Sequence, residues 1–222
     1  MQEEEIMSLK KNLDDLVYET ICLGFVGGTY VAGKRLDPAE LSDRYQVSKT
    51  PVVQALKRMA NERIINITTG GKYIIPVVTS ETIKDICSLR LMFEEHAVAS
   101  VCESITEEKL NELMLLKNSC DSYFNAEEFD KYFLEDMNFH RRIMRFTGNE
   151  CMSSLFNILI NRYMVIRSTA GYALKHDREA SLEHTQLLEA LRNRDEKEAR
   201  SIIVRHIGKI EERLQISNKN QQ

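Results

Sequence analysis

The chain has 222 residues, 43% of them hydrophobic and 29% charged, which is long enough for two cores and argues against a disordered or fibrous protein. No apolar run reaches the length of a membrane span, and the Glu3-Glu4-Glu5 start is acidic where a secretion signal would be basic, so no membrane partner is expected. The formal net charge of −4 means that any contact with nucleic acid must come from a local basic excess. Five cysteines (Cys22, Cys87, Cys102, Cys120 and Cys151) are scattered and never spaced C-x-x-C. They predict reduced, mostly buried thiols in a cytoplasmic protein rather than a disulfide framework or a zinc ribbon.

Asp37-Pro38-Ala39-Glu40 opens a helix with a carboxylate at the N-cap, proline at the first helical position and Glu three residues after the cap. Tyr45-Gln46-Val47 reads as a short turn, and Ser48 caps a second helix running to about Asn61. Val52, Ala55, Leu56 and Met59 recur at helical spacing and form one buried stripe. The opposite face presents Lys49, Thr50, Val53, Gln54 and Lys57, a set suited to the major groove. First-turn N–H groups and Lys49 suit phosphate, and Gln54 suits a base edge. The bland alternative is a small helical hairpin with a solvated face.

Ile64-Ile65-Asn66-Ile67-Thr68, Gly70-Gly71 and Lys72-Tyr73-Ile74-Ile75-Pro76 read as a β-hairpin with Lys72 at its tip. A helix, a helix-turn-helix and this hairpin make a winged helix. From Lys34 to Lys72 the chain carries eight basic and four acidic residues, so the basic excess lies where DNA would be met.

After Pro76 the strand signals stop. Helices are expected from Ser80 to about Cys102, from Thr106, from Glu127 to Phe146 with a close at Gly148, from Glu150 to Ala170, from Arg178 to Asn193 and from Asp195 to Leu214. Six helices with short polar turns make an all-α bundle. The expected domains are a winged helix-turn-helix over 1–76, a linker over 77–79, the all-α domain over 80–216 and a disordered tail over 217–222.

Asp136 and His140 lie four apart on one helix and share a face, while His184 and His206 fall on two further helices. One carboxylate and three imidazoles from three helices form a plausible shell for a divalent transition metal, Zn first, with Ni, Mn or Fe as alternatives. Taken alone, Asp-x-x-x-His is a weak signal, and each histidine also reads as an ordinary polar position. His96 and His176 fit no constellation.

These motifs resemble the GntR family of bacterial transcription regulators. Gly28-Thr29-Tyr30-Val31-Ala32-Gly33-Lys34-Arg35-Leu36 is similar to the family's G-x-x-x-P-G-x-x-L opening motif, with Ala32 in place of proline. Val47-Ser48-Lys49-Thr50-Pro51-Val52-Val53-Gln54-Ala55-Leu56 is similar to its V-S-R-T-P-V-R-E-A-L recognition helix, and Gly71 falls where the wing glycine belongs. Lys49, Val53 and Gly70 stand where the family carries arginines. Lysine cannot grip guanine bidentately, and valine offers only apolar contact, for instance to a thymine methyl, so an operator richer in A·T opposite Val53 is expected. The DNA-facing set is Arg35, Ser48, Lys49, Thr50, Val53, Gln54, Lys57, Gly71 and Lys72.

The C-terminal part resembles the FCD ligand-binding domain of the family's FadR branch. Asp136-Met137-Asn138-Phe139-His140 is similar to its D-x-x-F-H, Ser181-Leu182-Glu183-His184 to its E-H stretch, and Ala199 followed by His206 to its closing A-x-x-x-x-x-x-H. The resemblance implies metal ligands at Asp136, His140, His184 and His206. Leu89-Arg90-Leu91-Met92-Phe93-Glu94 is similar to the R-x-x-x-E motif whose arginine faces the ligand pocket, where it would grip a small carboxylate effector. From the residues alone, Arg90 pairs equally well with Glu94 on the helix surface.

The expected protein is therefore a homodimeric regulator that binds a double-stranded DNA operator under control of a small organic acid at a metal site. It is not expected to be an enzyme. One alternative is a metal-dependent helical-bundle hydrolase, since such a shell can activate water. Against it, no H-E-x-x-H occurs, and the only His followed directly by Asp is His176-Asp177, outside the quartet. A metal-binding dimer scaffold with weakened DNA binding is the other alternative.

Overall fold

The structure is a computed structural model that describes residues 12–169 and 178–219. It divides into two compact units, Met1–Val77 and Val78–Gln222. The acidic start at Glu3, the pair His176-Asp177 and residues 220–222 lie outside the described residues.

The first unit opens with helix α1 (Leu13–Val26), which buries Val17, Tyr18, Ile21, Cys22 and Phe25 at spacings of one helix face. Strand β1 (Arg35–Leu36) follows, then α2 (Pro38–Tyr45). Asp37 caps α2 by accepting the Ala39 N–H at 2.8 Å, with Pro38 supplying the fixed φ of the first turn. Gln46, with φ +55°, ends that helix in the left-handed region and reverses the chain. Helix α3 (Lys49–Asn61) buries Pro51, Val52, Ala55, Leu56 and Met59 and packs against both α1 and α2. Ser48 stands at its N-cap in extended conformation, but its side chain makes no capping hydrogen bond, contrary to the sequence expectation.

The hairpin differs from the sequence reading in two ways. Its strands are short, β2 (Asn66–Ile67) and β3 (Tyr73–Ile74), because Ile64 and Ile65 are drawn into the core ahead of the pairing. β1 also adds to the far edge of β3, so the sheet has three antiparallel strands in the order β1-β3-β2. A two-residue strand carries no hydrophobic period, so β1 left no signal. The turn closes through Thr68 N–H to Lys72 O and Gly71 N–H to Thr68 O, both 2.9 Å, with Gly71 at φ +73°. Only glycine holds that conformation without steric cost.

In the second unit, α4 (Ser80–Ser104) is the central element, packed against α6 (Phe129–Phe146), α7 (Glu150–Thr169), α8 (Arg178–Arg192) and α9 (Glu196–Lys219). α5 (Glu107–Asn125) lies against α6 and α8. Thr79, rather than Ser80, caps α4, its hydroxyl accepting from Thr82 N at 3.1 Å. Thr106 caps α5, and Asp195 caps α9 by accepting from Glu198 N at 3.0 Å. α6 starts at Phe129 rather than Glu127, because Glu127 takes φ +58° in the connection from α5.

The C-terminal helix corrects the expected tail. α9 continues to Lys219, Asn218 is buried, and Gln215 Nε2 donates to the Ser80 carbonyl at 2.7 Å. Residues 217–219 are therefore helical, held by contacts whose polar side chains hide them from a hydrophobic pattern. Among the described residues no helix is long and apolar enough to cross a membrane.

Leu56 is fully buried behind the exposed face of α3. Leu56→Ala should destabilise the first unit by about 2–5 kcal/mol, seen as a lower denaturant midpoint for that unit.

Candidate metal centre and nucleic-acid interface

On α3 the residues Lys49, Thr50, Gln54 and Lys57 are exposed, and Val53 is half-buried. The unused Ser48 hydroxyl and the first-turn N–H groups form an exposed positive helix end of the type that receives phosphate. Gly71 and Lys72 are exposed at the hairpin tip. Arg35 is engaged locally, its Nη2 lying 2.6 Å from Asp37 Oδ2. The Ala39 N–H, against some desolvation and with help from Arg35, holds the Asp37 carboxyl below its ordinary range. Arg58 is exposed but engaged within the unit: it bonds Asp15 at 2.7 Å and Glu62 at 3.0 Å, and its guanidinium lies 4.2 Å over the Tyr18 ring. The basic excess counted from sequence is therefore partly paired with carboxylates of the same unit at its surface.

In the second unit all four predicted metal residues are buried: Asp136 and His140 on α6, His184 on α8 and His206 on α9. One ring nitrogen from each histidine lies within 4.8 Å of the other two. The ring centroids are 4.9–5.2 Å apart. Phe139 stacks on His184 at 4.4 Å and closes one side. The structure brings the three histidines together, and Asp136 Oδ1 stands beside them at 3.7 Å from His184 Nε2.

The Nε2 atoms of His140, His184 and His206, with Asp136 Oδ1, have no hydrogen-bond partner among the described residues. Leaving each such buried group unsatisfied costs about 1–3 kcal/mol. Burial, followed by the neighbouring His206 and His140, pushes His184 well below its ordinary pKa and keeps it neutral, the form that offers a lone pair. Several inward lone pairs and a carboxylate oxygen, with no donor facing them, are the donor set of a divalent cation, and the residues present fit one.

The Nδ1 atoms of His140 and His206 each face a carboxylate. His140 Nδ1 lies 2.6 Å from Glu94 Oε2, and His206 Nδ1 lies 2.9 Å from Glu183 Oε2. Glu94 also accepts from Arg90 Nε at 2.8 Å through its other oxygen. Burial opposes ionisation of Glu94, but Arg90 and then His140 outweigh it and hold the carboxyl far below its usual range. Burial likewise opposes ionisation of Glu183, and hydrogen bonds from His206 and Lys209 bring it down to about 2. The sequence reading assigned neither carboxylate this role. Glu94 was visible four residues after Arg90, whereas Glu183 precedes His184 in sequence but bonds His206 on another helix.

Arg90 joins the two readings left open by sequence. It does pair with Glu94, but as a fully buried residue rather than on the helix surface. Its guanidinium stacks 4.3 Å over Tyr163, and its Nη1 and Nη2 have no hydrogen-bond partner among the described residues. Of the cysteines, Cys22, Cys87, Cys102 and Cys120 are buried, and Cys151 is exposed.

The FCD domain matches residues 85–209, more than half of the chain, a stretch that contains Asp136 and all three clustered histidines. Over 181 residues the chain is 26% identical to the Nta operon transcriptional regulator of Aminobacter aminovorans, covering 80% of this chain and 82% of that protein. It is 24% identical to the transcriptional repressor NanR of Klebsiella aerogenes, over 90% and 85% of the two chains. Among solved structures it is similar to Escherichia coli McbR/YncC, with a TM-score of 0.84 and 20% identity over 96% of this chain and all of that one. The chain belongs to the FCD family of GntR-type transcription regulators. Its nine described helices and three-stranded sheet have the winged-helix-plus-bundle arrangement of that class.

Removing Arg90 would leave the Glu94 carboxylate buried without its cationic partner. Arg90→Met should destabilise the second unit by about 3–5 kcal/mol in denaturant unfolding.

Proposed function

We propose that this regulator binds an operator through α3 and the hairpin tip, and that a small organic acid bound at a metal centre in the helical unit controls that binding. The observation that carries the reading is the inward convergence of three buried imidazole nitrogens beside Asp136, with no donor among the described residues facing them. Asp136, His140, His184 and His206 would hold the cation. Zn suits this set first, with Ni, Mn or Fe as alternatives. A bound cation supplies a Lewis-acidic positive charge for a ligand oxygen.

Arg90 supports the carboxylate part of the reading. Two terminal guanidinium nitrogens, buried and unbonded, suit the two oxygens of a carboxylate. Glu94 holds the rest of the guanidinium in place at 2.8 Å, so the unbonded edge is oriented before a ligand arrives. The relatives that match most of this chain carry names of transcriptional regulators and repressors, which supports regulation rather than catalysis.

At the operator, Lys49, Lys57 and Lys72, the Ser48 and Thr50 hydroxyls and the Gly71 backbone suit phosphate. Gln54 is placed to read a base edge, and Val53 to touch a thymine methyl. Arg35 contributes through whatever donors its pairing with Asp37 leaves over. Two copies would match a pseudo-palindromic site, because two-fold symmetric proteins prefer two-fold symmetric DNA. The organic acid then acts only as far as its affinity differs between operator-competent and incompetent arrangements of the dimer.

Two sets of variants test the reading. Lys57→Ala should weaken binding uniformly across sequences and lower the salt-dependence slope by about 1, whereas Gln54→Ala should cost about 1–3 kcal/mol and relax preference at one base pair. Electrophoretic shifts on the DNA flanking the gene would show both, and unchanged binding in the two variants rejects the interface. In the same assay with a panel of carboxylic acids, His140→Ala should abolish the effector response and leave basal DNA binding in place. A full response in that variant removes the metal from the mechanism.

A further inference from the structure

A neutral imidazole binds a cation through one nitrogen only, and which nitrogen keeps its lone pair is decided by what the other one touches. Two of the three clustered histidines have that choice made for them by a carboxylate from a different helix. Glu94 on α4 faces His140 Nδ1 on α6 at 2.6 Å, and Glu183 on α8 faces His206 Nδ1 on α9 at 2.9 Å. An ionised carboxylate has no proton to give, so it can only accept. In both pairs the nitrogen left over is Nε2, and both Nε2 atoms are buried and unbonded. The His206–Glu183 contact is a formed hydrogen bond, whereas the 2.6 Å approach of Glu94 Oε2 to His140 Nδ1 is a close charge contact off hydrogen-bond alignment.

We propose that Glu94 and Glu183 are positioning residues of the metal centre, each holding the proton on Nδ1 of one imidazole so that Nε2 keeps its lone pair toward the cluster. The proposal rests on the metal reading above. Neither carboxylate touches the cation position itself. Each acts through its histidine, and each is tied down on its far side: Glu94 by Arg90 Nε at 2.8 Å, and Glu183 by Lys209 Nζ at 2.9 Å and Arg205 Nε at 3.4 Å.

The two supports differ in their surroundings. The Glu94 pair is sealed, with Arg90 and His140 both wholly buried. Glu183 instead forms part of the wall of a surface groove of about 590 Å³, lined by Glu179, Gln186, Arg205 and Lys209 among others. Water can replace part of what Glu183 does and cannot reach Glu94 as easily, so the sealed pair carries the larger effect. Because Glu94 holds both Arg90 and His140, it also joins the proposed carboxylate-binding group to a metal ligand through one side chain.

The test is Zn²⁺ affinity of the full-length protein, measured by competition with a chromophoric chelator. Glu94→Gln keeps the shape and removes the charge, and should weaken Zn²⁺ binding about 10–100-fold, with Glu183→Gln weakening it by a smaller factor. Nitrogen-15 spectra of the imidazoles give a readout that a merely structural role would not move. In metal-free protein in mildly alkaline buffer, His140 and His206 should show a protonated Nδ1 and an unprotonated Nε2. In each variant only the ring behind the altered carboxylate should shift toward a mixture of tautomers. Wild-type Zn²⁺ affinity in both variants, or protons on Nε2 in the wild type, overturns the proposal if His140→Ala loses Zn²⁺. If His140→Ala binds Zn²⁺ like the wild type, the metal reading itself fails. Should Glu94→Gln not fold, Glu183→Gln decides the matter by the same two measurements.

Discussion

The helical unit is organised by a polar inclusion that its apolar core must surround. Three imidazoles and a carboxylate sit where a helical bundle ordinarily places leucine and isoleucine, and each buried polar atom must find a partner or raise the free energy of the fold. The outer nitrogens of His140 and His206 face Glu94 and Glu183, and those carboxylates are answered by Arg90 and by Lys209 with Arg205. This alternation of acid and base explains why α4, otherwise lined by Ile83, Ile86, Ala97, Val98 and Val101, carries a buried arginine and glutamate at its middle. It also binds α4 to α6 and α8 to α9 with directional contacts that hydrophobic packing alone does not supply.

The first unit solves the opposite problem. The face proposed to meet DNA must stay exposed and basic while the helix behind it is held firmly. Val52, Ala55, Leu56 and Met59 hold α3 against α1 and α2, and the exposed Arg58 bridges Asp15 and Glu62 over Tyr18. That divides the basic residues of the segment into those that fasten the unit and those left for phosphate, a division that a charge count does not see.

If a carboxylate and a cation bind as proposed, the unbonded guanidinium edge and imidazole nitrogens on either side of Glu94 have a thermodynamic consequence. A ligand that engages Arg90 perturbs the carboxylate behind His140, and a cation that engages His140 perturbs the carboxylate beside Arg90. Any coupling between the two bindings must then be reciprocal. The Glu183 arm, open to solvent at the α8–α9 groove, lacks an equivalent buried cation on its far side.

Much of this protein is local in origin and was legible in the chain. Asp37-Pro38, Thr106 and Asp195 mark helix starts because a cap needs only its own next turn, and Gly71 marks the hairpin turn because a positive φ is a property of one residue. Asp136, His140, His184 and His206 are nominated by motifs, and the convergence of the three histidines with Asp136 beside His184 is a property of how α6, α8 and α9 pack. Strand β1, the inward drift of Ile64 and Ile65, and the extension of α9 past Leu214 come from neighbours far away in sequence. So does the pairing of Glu183 with His206 rather than with the adjacent His184. Residue order determined which groups each helix carries and on which face. Only tertiary packing decided which of those groups meet, because hydrogen bonds between helices depend on distances that spacing along one helix does not contain.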